Sequence, residues 1–388
     1  MSIVKLTALA LATAACLVSA EGYQTKPAPK KDVLTVGVIG DFGWTGWEPA
    51  PVNFCNNVMP RLIANNITIP REIQNDCDPG DRGNIKNATA DQMATASYIE
   101  KVCAKKDCDA FVSVGDNFYS SAIDFSTNGI IRFEEAWSNM YTGKVFNNTP
   151  WYQCLGNHDV VKGKSGVEFQ TKIAPLYDSR WYFGTENLPY YTYDLSGKDW
   201  KATFAVVDSD CFIENYQKST SVYQNDYTKA CYETKQEQVD FVEEAFSKSD
   251  AQWKFLQIHH GYVSSSSNYT ELAPFVEIVS KYNGIVVNGH DHCLAHYYAN
   301  NTNFILTGGA GYPQGGDCNN GVKLGPFVKY LGANEQAAAN GFVTMDISKK
   351  SVNVEYYTRD MTYEGGDLFP VKNDLEPAYS FTVEAKKT

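Results

Sequence analysis

The amino-acid sequence predicts an α/β fold. Short apolar runs end in polar clusters, and patterns typical of helices lie between those runs. The repetition of strand, polar loop and helix is characteristic of α/β proteins. Hydrophobic residues make up 43% of the 388-residue chain, which suffices for a large core, and the sequence contains no repeat of fixed period. We therefore expect a single catalytic domain over residues 32–388.

Five apolar runs are predicted to form strands, and each leads directly into a polar cluster. In open α/β sheets, ligands gather at the carboxyl ends of the strands, so these clusters contain the candidate site residues. The strands are Val33–Ile39, Phe111–Val114, Trp151–Leu155, Trp253–Ile258 and Gly284–Val287. The clusters read GDFG at 40–43, GDNFY at 115–119, GNHD at 156–159, HHG at 259–261 and NGHDH at 288–292.

Helices and surface segments are predicted between the strands. Thr89–Lys105 and Glu233–Lys248 have helical patterns with acidic or Gln residues in their first turns. Segments 44–88 and 211–232 are expected to be long surface excursions, each closed by a disulfide.

The first twenty residues have the composition of a secretory signal peptide. One lysine precedes an apolar stretch, and Val18-Ser19-Ala20 forms a small-residue cleavage site. No later run approaches the length of about 18 apolar residues that a membrane span needs. We expect a secreted, extracellular protein with its signal peptide at residues 1–20 and a linker at residues 21–31.

Cysteine usage agrees with export. Nine of the ten cysteines remain once Cys16 leaves with the signal peptide, which suits disulfides plus one free thiol. We expect Cys154 to be that thiol and to be buried, because its neighbours are apolar. The expected disulfides pair Cys55 with Cys77, Cys103 with Cys108, Cys211 with Cys231, and Cys293 with Cys318. Five Asn-x-Ser/Thr sequons predict a glycoprotein, and they begin at Asn66, Asn87, Asn147, Asn268 and Asn300.

The chain is acidic. Its formal net charge is −12, and the predicted signal peptide holds one lysine, so the mature chain carries about −13. This charge argues against nucleic acid or an anionic membrane surface as a partner. An anionic substrate would also be repelled, so a site for one needs a local positive charge.

The histidines are concentrated in the polar clusters. Five of the six lie there, at 158, 259, 260, 290 and 292, and the sixth is His296. Imidazole nitrogens with oxygen donors form the type of site that iron, zinc or manganese prefers. His290 and His292 are two apart on an extended segment, so they face one side and could serve two metals roughly 3.5 to 4 Å apart. The pattern favours a two-metal site over five unrelated loops; the oxygen donors are Asp41, Asp116, Tyr119 and Asn157.

The order of the motifs resembles that of the purple acid phosphatases. GDNFY, GNHD and GHDH are most similar to the small, tartrate-resistant animal-type branch of that family. The resemblance implies a metallophosphoesterase-like α/β fold, with two mixed β-sheets packed as a sandwich and flanked by helices in four α/β/β/α layers. The motifs are Asp41-x-Gly43, Gly115-Asp116-x-x-Tyr119, Gly156-Asn157-His158, Leu256-x-x-His259 and Gly289-His290-x-His292.

The resemblance also implies the metal ligands. In metallophosphoesterases generally the first motif is Asp-x-His and that His is a ligand, whereas this chain has Gly43 there and gains Tyr119. A phenolate ligand favours Fe(III) and would colour the protein. The ferric ligands would be Asp41, Tyr119 and His292; those of a divalent ion (Fe, Zn or Mn) would be Asn157, His259 and His290; Asp116 would bridge both.

The implied activity is that of a secreted acid phosphatase. It would hydrolyse phosphomonoesters, either small molecules or phosphoproteins, with a metal-bound hydroxide, and His158 would donate to the phosphate or the leaving group. The two ions bring five positive charges and three ligand anions remove three, so the site attracts a phosphate of about −1.5 to −2. A phosphodiesterase with the same centre and a non-catalytic extracellular metal-binding or effector protein are the alternatives. We expect a monomer.

One position departs from the animal-type branch. Asn268, nine residues after His259, stands where that branch has a His that helps to protonate the leaving group. Either the loop Ser264–Thr270 is realigned, or the protein relies on His158 alone, in which case aryl phosphates are expected to react faster than alkyl phosphates. His260 is predicted to be packed rather than a ligand, and His296 is assigned to a strand face or to the rim of the site. Segment Asn215–Lys229 could regulate access, as a loop does in that branch.

Overall fold

The computed structural model describes residues 30–43, 88–119, 122–125, 127–265, 267, 269–311, 325–332, 340–359 and 375–386. From Lys31 onward the chain forms one compact unit. The predicted signal peptide and the predicted Cys55–Cys77 disulfide lie outside the described ranges. Within those ranges, no helix combines the length and the apolar character that crossing a membrane requires.

The described residues contain fourteen strands in two mixed sheets of seven. In chain order the strands are Val33–Ile39 (β1), Ala110–Ser113 (β2), Trp151–Tyr152 (β3), Trp181–Tyr182 (β4), Tyr191–Ser196 (β5), Lys201–Val206 (β6), Trp253–Gln257 (β7), Ile285–Asn288 (β8), Leu294–Ala299 (β9), Thr302–Thr307 (β10), Val328–Leu331 (β11), Asn340–Ser348 (β12), Ser351–Arg359 (β13) and Tyr379–Glu384 (β14). The first sheet has the order β14-β13-β12-β1-β2-β3-β4, and the second has the order β11-β9-β10-β8-β7-β6-β5. The predicted fold class is confirmed.

Parallel pairing brings the polar clusters together. Strands β1 to β4 are parallel neighbours in the first sheet, and β6, β7, β8 and β10 are parallel neighbours in the second. Parallel strands end at the same edge of a sheet, so the loops after β1, β2 and β3 share one edge and those after β7 and β8 share another. The site residues lie on these loops.

Alternate residues of the central strands face two different cores. Phe204 of β6 and Phe255 of β7 stack with ring centroids 4.4 Å apart, in a cluster that contains residues of both sheets. Their neighbours Ala205 and Leu256 belong to a second cluster, which includes Val279 of an outer helix. Successive side chains of a strand point to opposite faces, so both faces of this sheet are covered.

One of the two predicted helices is observed with nearly its predicted bounds, and the other begins at a different residue. The predicted helix at 89–105 is observed at 88–106, whereas the predicted start at Glu233 is wrong, because a separate helix ends there and the next begins at Lys235. The earlier helix begins after Asn225, whose side chain accepts hydrogen bonds from two backbone N–H groups and caps it. The described α-helices are Ala88–Lys106 (α1), Thr127–Phe133 (α2), Lys164–Glu168 (α3), Ala174–Tyr177 (α4), Asp226–Glu233 (α5), Lys235–Lys248 (α6) and Ala273–Lys281 (α7).

Two predicted disulfides join described residues. Cys103 of α1 pairs with Cys108 just before β2, and Cys211 pairs with Cys231 of α5. Cys293 is also disulfide-bonded, and its predicted partner at position 318 lies outside the described residues. Cys154 is free and buried, as expected.

Candidate metal centre

Three residues of the candidate centre have left-handed backbone. Asp41 follows β1 with a φ of 57°, Asp116 follows β2 with a φ of 51°, and His290 follows β8 with a φ of 75°. This region is uncommon for residues other than Gly, although Asp, Asn and His enter it several times more often than average. Gly115 precedes Asp116 with a φ of 96°, and a Cβ there would lie 2.7 Å from Nδ1 of His259. The turn therefore needs glycine to pass this close to the imidazole.

The first donor set consists of Asp41, Asp116, Tyr119 and His292. The Tyr119 hydroxyl lies 2.8 Å from Oδ1 of Asp41 and 2.7 Å from Oδ2 of Asp116. The same hydroxyl lies 3.4 Å from Nε2 of His292. Nε2 of His292 in turn lies 3.5 Å from Oδ1 of Asp41. Four donor atoms therefore converge on one point, as ligands of a single ion do.

The second donor set consists of Asn157, His259 and His290. Oδ1 of Asn157 lies 3.1 Å from Nε2 of His259 and 3.0 Å from Nδ1 of His290. Oδ1 of Asp116 lies 3.4 Å from the same nitrogen of His259. Oδ2 of Asp116 therefore reaches the first donor set and Oδ1 reaches the second, which is the arrangement expected of a bridging carboxylate.

Burial makes this centre suitable for cations. Asp41 and Asp116 are 0% and 1% exposed, and the ion pairs that they form with described residues involve only histidines. Burial raises the pKa of Asp41 well above its usual value. Burial would also raise the pKa of Asp116, but His259 and His158 outweigh it and hold that pKa well below its usual value. Buried carboxylates whose described neighbours of opposite charge are imidazoles, which are themselves metal donors, form a site that hard cations can occupy.

Three of the six histidines lie outside the donor sets, namely His158, His260 and His296. Nδ1 of His260 lies 2.7 Å from the Ser209 hydroxyl, and its Nε2 lies 2.8 Å from the Tyr216 hydroxyl. Burial lowers the pKa of His260 well below its usual value, which favours the neutral ring. His296 lies on β9, where its ring stacks on Phe381 at 3.6 Å between centroids. Of the two roles considered for His296, the structure supports the strand-face role.

His158 lies beside the junction of the two donor sets. Its backbone N–H donates to Oδ1 of Asp116 at 2.8 Å, and its ring centroid is 4.5 Å from that of Tyr119. Nε2 of His158 lies 3.5 Å from the hydroxyl of Tyr223. Tyr223 belongs to the segment closed by the Cys211–Cys231 disulfide. That segment therefore reaches the centre.

The structure adds a supporting residue that the sequence did not identify. The carboxylate of Asp159, which is fully buried, accepts hydrogen bonds from the backbone N–H groups of Asn117 at 3.0 Å, Phe118 at 3.2 Å and Gly156 at 2.9 Å. It thereby ties the loop after β2 to the loop after β3. Its place in GNHD was the only available signal, and that motif did not assign it a role.

Further supporting contacts hold the second donor set. Nδ1 of His259 lies 2.8 Å from the carbonyl oxygen of Val114, and Nε2 of His290 lies 2.7 Å from the hydroxyl of Tyr269. Nothing in the sequence motifs indicates either contact. Asn268, where the sequence departs from the animal-type branch, lies outside the described residues.

Comparisons with known proteins show what this chain is similar to. Residues 34–294 match the family model for the calcineurin-like phosphoesterases. The chain is similar to purple acid phosphatase 7 of Arabidopsis thaliana, with 29% identity over 57% of this chain and 65% of that protein, slightly less than two thirds of its length. It is also similar to tartrate-resistant acid phosphatase type 5 of Oryctolagus cuniculus, with 23% identity over 76% of this chain and 88% of that protein. The predicted resemblance is confirmed.

A solved structure supports the fold alone. It is that of GAP50, the anchor in the inner membrane complex of Plasmodium, with a TM-score of 0.59 and 13% identity over 92% of this chain and 90% of that chain.

Proposed function

The chain belongs to the calcineurin-like phosphoesterase family, and we propose that it is a secreted acid phosphatase that hydrolyses phosphomonoesters at a centre of Fe(III) and a divalent ion. The observation that carries this proposal is the pair of converging donor sets that share Asp116. A two-metal centre of this kind is suited to displacement at phosphorus.

The donor chemistry differs between the two sets and suggests which ion each would hold. The set of Asp41, Tyr119 and His292 includes a carboxylate and a phenol, hard donors that suit Fe(III). The set of Asn157, His259 and His290 contains no carboxylate or phenol of its own and suits Fe, Zn or Mn as the divalent ion. When bound, such ions orient the phosphate, lower the pKa of a coordinated water and stabilise charge at the reacting oxygens.

The chain's own residues would complete the reaction. His158 is held next to Asp116 through its backbone, so its imidazole can donate to a phosphate oxygen or to the leaving group. Proton donation of this kind contributes about 10² to 10⁴ in rate. The acidic surface repels a phosphate, so its capture depends on the positive charge of the two ions.

We also propose an extracellular, monomeric enzyme that acts on phosphorylated small molecules or phosphoproteins. The disulfides within the described residues support an oxidising compartment. Asn147 and Asn300, which begin two of the sequons, are exposed and therefore accessible to a glycan. Expression in a secreting eukaryotic host, followed by glycosidase treatment, should give mature protein of lower mass. Protein that stays inside the cells without glycans would contradict this proposal.

The activity is tested by metal analysis, colour and two assays. Purified protein should contain two metal ions per chain, show a visible phenolate band, and hydrolyse p-nitrophenyl phosphate faster than bis(p-nitrophenyl) phosphate. Faster diester hydrolysis would indicate a phosphodiesterase with the same centre. Two bound ions without turnover of either substrate would indicate a non-catalytic metal-binding protein.

A further inference from the structure

His290 uses its two ring nitrogens differently. Nδ1 lies 3.0 Å from Oδ1 of Asn157, the oxygen that also faces Nε2 of His259 at 3.1 Å. Nε2, on the other side of the ring, lies 2.7 Å from the hydroxyl of Tyr269. Nδ1 is therefore the nitrogen that belongs to the second donor set, and Tyr269 contacts the nitrogen that does not.

The different contacts of the two ring nitrogens decide which of them carries the proton, and so decide the tautomer of His290. A histidine binds a metal through an unprotonated nitrogen, so coordination through Nδ1 requires the ring proton on Nε2. The Tyr269 oxygen then accepts that proton in a hydrogen bond. A partner of this kind fixes the tautomer and the orientation of a ligand imidazole and raises its basicity.

Tyr269 is itself held firmly. It is only 8% exposed, and it belongs to the cluster of apolar residues beneath the outer helices. Its carbonyl accepts a hydrogen bond from the N–H of Leu272 at 3.1 Å, which closes the turn that leads into α7. A phenylalanine would keep the ring in this environment and remove only the hydroxyl.

A second contact ties the same segment to the turn that carries His290. The carboxylate of Asp291 accepts hydrogen bonds from the Ser264 hydroxyl at 2.8 Å and from the backbone N–H of Ser265 at 2.6 Å. Ser264, Ser265 and Tyr269 therefore contact two consecutive residues of the 289–292 turn, His290 and Asp291.

We propose that Tyr269 is a positioning residue for His290 and sets the affinity of the second donor set for its divalent ion. The inference rests on the proposed function, because it assigns that set to a metal. Loss of such a partner typically weakens metal binding about 10- to 100-fold. The geometry also separates this role from proton donation to a leaving group, since the Tyr269 hydroxyl is engaged with the nitrogen of His290 opposite the donor set.

The test is Zn²⁺ binding by the full-length secreted protein after a chelator has removed its divalent ion. Wild type, Tyr269→Phe and the control Tyr216→Phe are compared by equilibrium dialysis. Tyr216 is a matched control because its hydroxyl contacts Nε2 of His260, a histidine outside both donor sets. Tyr269→Phe should bind Zn²⁺ about 10- to 100-fold more weakly, with the visible band of the first donor set unchanged. Tyr216→Phe should bind as wild type does.

Three results would contradict the inference. Zn²⁺ affinity of Tyr269→Phe within about twofold of wild type would overturn it while the proposed function stands. Equal losses of the visible band and of Zn²⁺ affinity would show general structural damage in place of positioning. A wild-type protein that takes up no second ion would overturn the proposed function, and the inference with it.

Discussion

The two donor sets are fixed in different ways. In the first set, the two carboxylates leave their strands through left-handed backbone, and the Tyr119 hydroxyl joins them at 2.8 and 2.7 Å. In the second set, His290 also has left-handed backbone, but both imidazoles have hydrogen-bond partners outside the set: the Val114 carbonyl for His259 and the Tyr269 hydroxyl for His290. The first set therefore contains the carboxylates and the phenol, and the second contains an amide and two imidazoles that are oriented by hydrogen-bond partners outside the set. Substitutions should separate the two.

The largest effect on metal content and turnover is expected at Asp116, which the two donor sets share. Asp116→Asn removes the shared negative charge, so both ions should be lost. The fall in kcat/KM should exceed the roughly 10²- to 10⁴-fold loss that follows removal of a proton donor. Metal analysis and a phosphomonoester assay measure both effects. Asp107→Asn is the matched control, since Asp107 also has left-handed backbone, with a φ of 59°, and its side chain is exposed. Full metal content with normal turnover would make Asp116 a turn residue only.

The second-largest effect is expected at His158, and its loss should leave both donor sets intact. His158→Ala removes the proton donor beside the junction, so turnover should fall about 10²- to 10⁴-fold while metal content stays at the wild-type level. The loss should be greater for alkyl phosphates, whose leaving oxygens need a proton, than for aryl phosphates. Equal small losses on both substrate classes would show that another group supplies the proton.

A smaller and one-sided effect is expected at Tyr119. Tyr119→Phe removes the phenolate from the first set, so the visible band should disappear, and turnover should fall roughly 10- to 100-fold. Zn²⁺ binding by the second set should persist. Absorption spectra and Zn²⁺ dialysis measure the two outcomes. Tyr141→Phe is the control, because Tyr141 is also fully buried but lies in the aromatic core. Colour that survives in Tyr119→Phe would remove Tyr119 from the centre.

A change at Tyr223 should have a weaker effect still. Its hydroxyl is 3.5 Å from Nε2 of His158, at the limit of a hydrogen bond. Tyr223→Phe should therefore lower kcat for alkyl phosphates by less than about tenfold, with metal content and colour unchanged. Steady-state kinetics on alkyl and aryl substrates would measure this. A loss of metal from Tyr223→Phe would contradict the conclusion that His158 lies outside both donor sets.

The smallest effect on turnover is expected at Glu135, a buried carboxylate outside the donor sets. Burial raises its pKa to about 8, whereas an unfolded chain ionises near 4.5, so the folded protein loses stability as the pH rises between these values. Glu135→Gln removes that penalty and should stabilise the protein by roughly 4 kcal/mol near pH 8 and little at pH 4.5. Denaturant unfolding at both pH values measures the difference. An equal gain in the free energy of unfolding at both pH values would contradict the destabilising role given to ionised Glu135.

The sequence predicted those features that depend on local pattern. Strand β1 begins and ends where the apolar run does, at Val33 and Ile39. The run Trp151–Leu155 was predicted as a longer strand than β3, which pairs only at Trp151 and Tyr152. The remaining residues of that run are buried without extending the ladder, so apolar character alone did not show where pairing stops.

The sequence predicted that the polar side chains of the donor sets gather at strand ends, and the structure brings them together. Their supporting contacts were not predictable, because they join residues far apart in the chain. The Val114 carbonyl meets His259 across 145 positions, and Asp159 reaches Asn117 across 42. The first contact depends on how the two sheets pack, and the second depends on how the loops after neighbouring strands meet. No local pattern encodes either.

The left-handed backbone at Asp41, Asp116 and His290 has a consequence for the evolution of this centre. A branched or bulky residue is strained at such positions, so the main chain alone restricts them to Asp, Asn, Gly and, less readily, His. A descendant that had lost its metals would still be under pressure to keep one of these residues there. Tyr119 and His259 do not appear among the residues with positive φ, so their backbone does not impose that restriction. Decay of the centre in related chains should therefore become visible first at the phenol and at this imidazole, and last at the two aspartates.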